Sequence, residues 1–231
     1  MADEALDRAD RAELSFLSGL DWGSLSHRQV MAELIGRGWV PCGLGDWAVG
    51  LRSPKGTHVA RVCPFDPAYS AFVELCARCV GNRWLPRVEL AGELEGGGSV
   101  TVLEYLSPVA PEHAALVADQ WRAGEGDAEL AEVHRVAGKI DAEHRLSTPW
   151  WDGFDLNSAH VRQAVDGRLV LIDVFCMDGA ALYGQILKDV AAVHRRMPRE
   201  RMRYALEIPY IARESSAAEI SALQQAWDRV S

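Results

Sequence analysis

Apolar positions three or four apart alternate along this chain with short apolar runs rich in β-branched residues, and the two rhythms separate helices from strands. Residues 1–21 are charged, interleaved with Leu and Ala, and predict a loose leading helix. Ser26 is a cap residue for a helix running through Leu34 and Ile35 and ending near Gly36. Residues 39–42, 47–52 and 57–63 read as three strands. Gly43, Leu44, Gly45 and Asp46 turn the chain between the first two, and Ser53-Pro54-Lys55-Gly56 between the second and third. Beyond Pro64 and Pro67, a helix over about 68–80 presents Phe72, Leu75, Cys76 and Cys79 on one face, ending at Gly81-Asn82. Residues 85–90 and 100–106 read as two more strands, joined by a glycine-rich turn at 95–99.

The rhythm changes after Ser107-Pro108. Residues 111–122 are helical and 123–126 break the helix. Asp127 then caps another, whose stripe is Leu130, Val133, Ala137, Ile140 and His144. From Leu182 onward the pattern is helical, interrupted near Pro198 and Pro209. The expected fold is therefore α+β, in two parts. Residues 1–106 carry leading helices and a five-stranded antiparallel sheet with one helix. Residues 107–231 are mainly helical and contain a distinctive loop at 153–175.

Composition narrows the function classes. A chain of 231 residues, 48% hydrophobic and 25% charged, can bury a sizeable core. Its net charge of −9 argues against nonspecific nucleic-acid binding, which draws on Lys and Arg. No apolar run reaches membrane-spanning length, and the acidic start, Met1-Ala2-Asp3-Glu4-Ala5, lacks a signal-peptide core, so the expected location is the cytoplasm. Cys42, Cys63, Cys76, Cys79 and Cys176 form no disulfide framework. The Cys76-x-x-Cys79 pair has no second pair to complete a zinc site, so reduced structural thiols are expected.

Chemistry concentrates between Asp155 and Asp173. Asp155 opens a polar loop, Asp166-Gly167 marks a turn, and the apolar run 168–172 leads into Asp173. A hairpin of this kind can bring two carboxylates to one edge. That suits phosphoryl transfer, in which one acid orients a nucleophilic hydroxyl and the other holds a metal on the phosphates. Taken singly, each could equally be a loop-capping carboxylate.

The order of elements, with Asp155 and Asp173 in these places, resembles the protein-kinase-like fold. The look is closest to the aminoglycoside-phosphotransferase and bacterial atypical-kinase branch, over residues 39–173. Its catalytic loop carries an Asp, an Asn five residues later, and a metal-binding Asp past a hairpin. Asp155 and Asp173 match the two acids. His160 stands in the Asn position, within Asp155-Leu156-Asn157-Ser158-Ala159-His160. Arg61, in Val59-Ala60-Arg61-Val62, takes the place of the phosphate-binding Lys, and Glu74 that of its partner. Val102-Leu103-Glu104-Tyr105-Leu106 is similar to the hinge that receives adenine, and Gly43 and Gly45 lie where the phosphate loop belongs.

The resemblance implies a bilobal ATP-dependent phosphotransferase. Adenine would lie against Glu104 to Leu106, Arg61 near the phosphates and Asp173 on Mg²⁺, with Asp155 as catalytic acid–base residue. An imidazole at His160, counted with Asp173 among the metal-site residues, would imply weak occupancy of one metal site, a Mn²⁺ preference or a water-mediated contact. No Ala-Pro-Glu segment or activation loop follows Asp173, so the implied acceptor is a small molecule or a protein outside the conventional protein-kinase pattern. Glu112, Asp119, Glu125, Asp127, Glu129 and Glu132 could line a cationic acceptor's site or form a solvated helix face. Because Arg61, His160 and Phe175 depart from the motif, the alternative is a pseudokinase, a nucleotide- or protein-binding module without catalysis.

Overall fold

The computed structural model describes residues 11–229; the acidic start of the chain lies outside them. Helix α1 (residues 11–18) is followed by α2 (His27–Gly36). Ser26 caps α2 as expected, in a reciprocal box with Gln29. A five-stranded sheet has the order β1-β2-β3-β5-β4, built from β1 (Val40–Leu44), β2 (Val49–Arg52), β3 (His58–Cys63), β4 (Val88–Glu93) and β5 (Ser99–Glu104). The remaining elements are α3 (Pro67–Arg78), β6 (Ser107–Pro108), α4 (Pro111–Ala123), α5 (Ala128–Ser147), β7 (Trp151–Phe154), β8 (Val161–Gln163), β9 (Leu169–Leu171), β10 (Phe175–Met177), α6 (Gly179–Arg196), α7 (Pro209–Glu214) and α8 (Ala217–Asp228). The fold is α+β, with smaller sheets of order β6-β8-β9 and β10-β7.

Several local expectations shift. Gly43 and Leu44 do not turn the chain: they extend β1, paired with Gly50 and Val49 beyond a bulge at Pro41/Gly43. The reversal comes later, where Gly45 N–H donates to Ala48 O at 2.9 Å. Leu85 is drawn into a turn by its N–H bond to Asn82 O, so β4 begins only at Val88. The turn after it does require glycine. Gly96 and Gly97 have φ near +79° and +86°, and a Cβ on Gly97 would overlap the Arg201 carbonyl.

The chain divides into two compact units, neither of them one stretch of chain. The first runs through Asp66 and adds Glu89–Leu103 and the chain from Tyr183. Its core gathers Leu17, Val30, Leu34, Trp39, Leu51, Ala60, Val62, Val100 and Val102, so α1 and α2 bury their apolar faces with the sheet. The second comprises Pro67–Val88 and Glu104–Leu182. There α3 packs on β10 and α5, α5 on β7, and α4 on β8 and the one-turn helix Ser158–His160. Asp127 caps α5, its carboxylate accepting from Leu130 N–H at 2.9 Å, and Leu130, Val133, Ala137 and Ile140 form the buried stripe.

Candidate functional site

In the second unit, the segment from Trp151 to Met177 forms two antiparallel strand pairs, the outer ribbon flanking an inner hairpin in sequence. Outer strands β7 and β10 pair antiparallel, with Phe154 opposite Phe175 and Gly153 opposite Cys176. Between them β8 and β9 pair with Val161 opposite Leu171. The intervening turn is closed by Gly167 N–H to Ala164 O at 2.9 Å. Because β7 ends at Phe154 and β10 begins at Phe175, Asp155 and Asp173 fall at the same end of the ribbon. Asp155 N–H donates to Val174 O at 3.1 Å across that end. Asp155 is exposed, Asp173 half-buried.

The loop after Asp155 is organised by side chains. Asn157 Oδ1 accepts from Ala159 N–H at 2.9 Å and caps the turn Ser158–His160. His160 then points back: its Nδ1 lies 2.7 Å from the main-chain oxygen of Asp155. A carbonyl oxygen only accepts, so Nδ1 carries the proton and in the neutral ring Nε2 carries the lone pair. His160 O in turn accepts from Ile172 N–H at 2.9 Å, tying the loop to the residue before Asp173.

The strand residue before Asp155 is held by aromatic packing. Phe154 stacks on Phe175 across the ribbon (5.7 Å between centroids) and on His134 (5.8 Å), with Trp121 edge-on. Trp151 continues the row between Phe175 and His144, and its Nε1 donates to Asp141 Oδ1 at 2.8 Å. Gly153 has φ near +99°, and a Cβ there would overlap the Arg145 guanidinium. On the other side, α3 brings Cys76 near Asp173. Burial first, then the neighbouring Cys79 and Asp173, push the Cys76 thiol up to about 12.

Other residues singled out from the sequence have different surroundings. Glu104 is buried, and its carboxylate accepts from Arg168 Nη2, shared between both oxygens (2.7 and 2.9 Å), and from Arg87 Nη2 at 2.7 Å. Arg168 also donates to the Arg83 and Leu85 carbonyls and to Asp166, joining the β8–β9 turn to the end of β5. Leu106 follows β5 and is half-buried. Glu74 on α3 pairs with Arg78 and lies 3.5 Å from His144 Nε2 on α5. In the first unit, Arg61 on β3 donates to Asp66 at 2.6 Å, both side chains largely buried. A Cβ on Gly43 would meet nothing within 4 Å, so no close approach demands glycine there. Asp46, in the turn after Gly45, accepts from Tyr210 N–H of α7 at 2.8 Å.

The acids of 107–153 are mostly spent locally. Asp119 pairs with Arg122 and Glu132 with Arg135 along their own helices, while Asp127 and Glu129 pair with Arg83. Asp127 and Glu125 also line an open cavity of about 520 Å³ with Trp84, Val117 and Leu169. Among the described residues, no group of three or more His, Cys, Asp or Glu side chains converges to hold a metal. The sequence alone did not single out Arg168, Arg87, Cys76 as a neighbour of Asp173, or the His160–Asp155 contact. The Asp166-Gly167 turn signal located Arg168 without its partners. No protein-family model matches this chain, and no curated protein matches it significantly.

Proposed function

We propose that the chain is a kinase-like, bilobal phosphotransferase that uses ATP and a divalent metal to phosphorylate a hydroxyl on a small molecule or a protein. The supporting observation is the pairing of β7 with β10, which sets Asp155 and Asp173 at one end of one ribbon with the Asp155 backbone bonded to Val174. In this reading the exposed Asp155 carboxylate orients the acceptor hydroxyl and takes its proton as the oxygen bonds to the γ-phosphorus and the bond from that phosphorus to the β–γ bridging oxygen breaks, releasing ADP. Asp173 offers the hard oxygen donor that Mg²⁺ prefers, and the phosphates would supply further oxygens. The metal, when bound, neutralises charge on the phosphates. A single carboxylate from the protein is compatible with Mg²⁺, which usually keeps waters and substrate oxygens as ligands.

Turnover of γ-labelled ATP tests this. The chain is expected to release or transfer labelled phosphate, and Asp155→Ala to lower the rate about 100-fold or more while retaining nucleotide binding. Equal rates in both proteins would overturn the assignment of Asp155.

A second reading, a non-catalytic nucleotide- or partner-binding module, is favoured by the partners of two motif residues. Arg61 is engaged by Asp66, and Glu74 by Arg78 and His144. ATP-dependent stabilisation without any phosphate release would select it.

A further inference from the structure

We infer that His160 is a positioning residue that fixes Asp155 through its main-chain carbonyl, rather than a metal ligand; this rests on the phosphotransferase reading of Asp155. Two hydrogen bonds on Asp155 carry it, and three more hold the loop that they close. Asp155 is bonded on both sides of its α-carbon, by its N–H to Val174 O at 3.1 Å and by its C=O to His160 Nδ1 at 2.7 Å. The imidazole therefore closes a ring of chain from residue 155 to 160. Inside that ring Asn157 caps the turn and His160 N–H donates to Asn157 O at 3.0 Å. Outside it, Ile172 N–H grips His160 O at 2.9 Å, and α4 packs over the turn Ser158–His160. The exposed Asp155 carboxylate thus projects from a backbone held at two points, and the second hold is a side chain.

The chemistry of the contact makes a specific demand. Whether neutral with its proton on Nδ1 or fully protonated, the imidazole donates to the carbonyl, so the hold survives titration of the ring. Asparagine carries its amide nitrogen at the same number of bonds from the main chain as Nδ1, and can donate the same bond. Leucine fills similar space and donates nothing. A general acid–base group misplaced by a fraction of an ångström loses rate and not substrate affinity.

The test compares His160→Asn and His160→Leu with the parent chain by hydrogen exchange over residues 156–161 and by ATP turnover in Mg²⁺ and in Mn²⁺. His160→Leu is expected to exchange about tenfold faster in that segment. Its kcat should fall about 10- to 100-fold with the KM for ATP within about twofold. His160→Asn should restore both to within about threefold, and the Mn²⁺/Mg²⁺ rate ratio should be unchanged in all three proteins. Unchanged exchange in His160→Leu would overturn the inference. So would a Mn²⁺/Mg²⁺ ratio that collapses in both variants, which would make His160 a metal ligand. A parent chain without turnover would instead defeat the phosphotransferase reading, and the exchange comparison would then decide by itself whether His160 holds the loop.

Discussion

Glu104 and Arg168 form the ion-paired cluster at the end of β5. Glu104 closes the strand read as a hinge that receives adenine through backbone groups, and its carboxylate is buried against two guanidinium groups. Burial works against the Arg168 charge, but hydrogen bonds to Asp166 and Glu104 outweigh it and hold its pKa above the ordinary value. Removing Arg168 leaves the buried Glu104 carboxylate with Arg87 alone, one cation short. Arg168→Ala should therefore destabilise the fold by ~1.5–3 kcal/mol in urea unfolding. Glu104→Gln, which keeps acceptor and shape, should cost less. A loss under ~1 kcal/mol in Arg168→Ala would show the pair to be dispensable. The thiols give a second residue-level outcome. Burial, ahead of nearby charges, pushes both Cys63 and Cys76 up to about 12 from an ordinary 9.0. Below pH 9 both states keep these protons and stability is unaffected. Above it the unfolded chain loses them while the folded chain holds them, so stability should fall as pH rises from about 9 toward 12. Thiol labelling of the native chain at pH 8 should mark exposed Cys42 well before Cys63 or Cys76.

At the scale of elements, what was legible followed from local chemistry. The caps Ser26 and Asp127 are side-chain oxygens facing their own helix ends, and both are where the sequence put them. The hairpin between Asp155 and Asp173 was legible from Asp166-Gly167 and the apolar run after it. What stayed hidden depends on partners distant in sequence. The β7–β10 pairing, the continuation of β1 through Gly43, and the Arg168–Glu104 clamp have no signature within a short window. His160 was legible as a departure from a motif but not as a hydrogen-bond donor, because its acceptor is a backbone oxygen and carries no residue identity. Asp127 makes the element scale testable. Burial opposes its charge, but hydrogen bonds from Leu130, Arg83 and Trp84 bring its pKa down to about 2 from 3.8. The stability it lends is present above pH 3.8 and is lost as pH falls toward 2. Asp127→Ala should cost ~1–2 kcal/mol at neutral pH and flatten that acid limb.

For the whole molecule, the sequence conveyed an α+β fold with a five-stranded antiparallel sheet, but not how the chain is shared between its two units. The segment from Tyr183 returns to the unit that contains the first strands, and α3 belongs to the unit that contains Asp155. Periodicity carries no information on which element a helix will join. No helix among the described residues is long and apolar enough to cross a membrane. The central claim, that this fold presents a nucleotide and metal site organised on Asp155 and Asp173, is tested most directly by metal-dependent ATP binding, read as thermal stabilisation. At about 100 times the Kd, ATP with Mg²⁺ should add ~2.7 kcal/mol, a rise of several degrees in Tm. Asp155→Ala should keep that rise, and Asp173→Ala should lose its dependence on the metal. No ATP-dependent rise in the parent chain, or the same metal dependence in Asp173→Ala, would contradict the account.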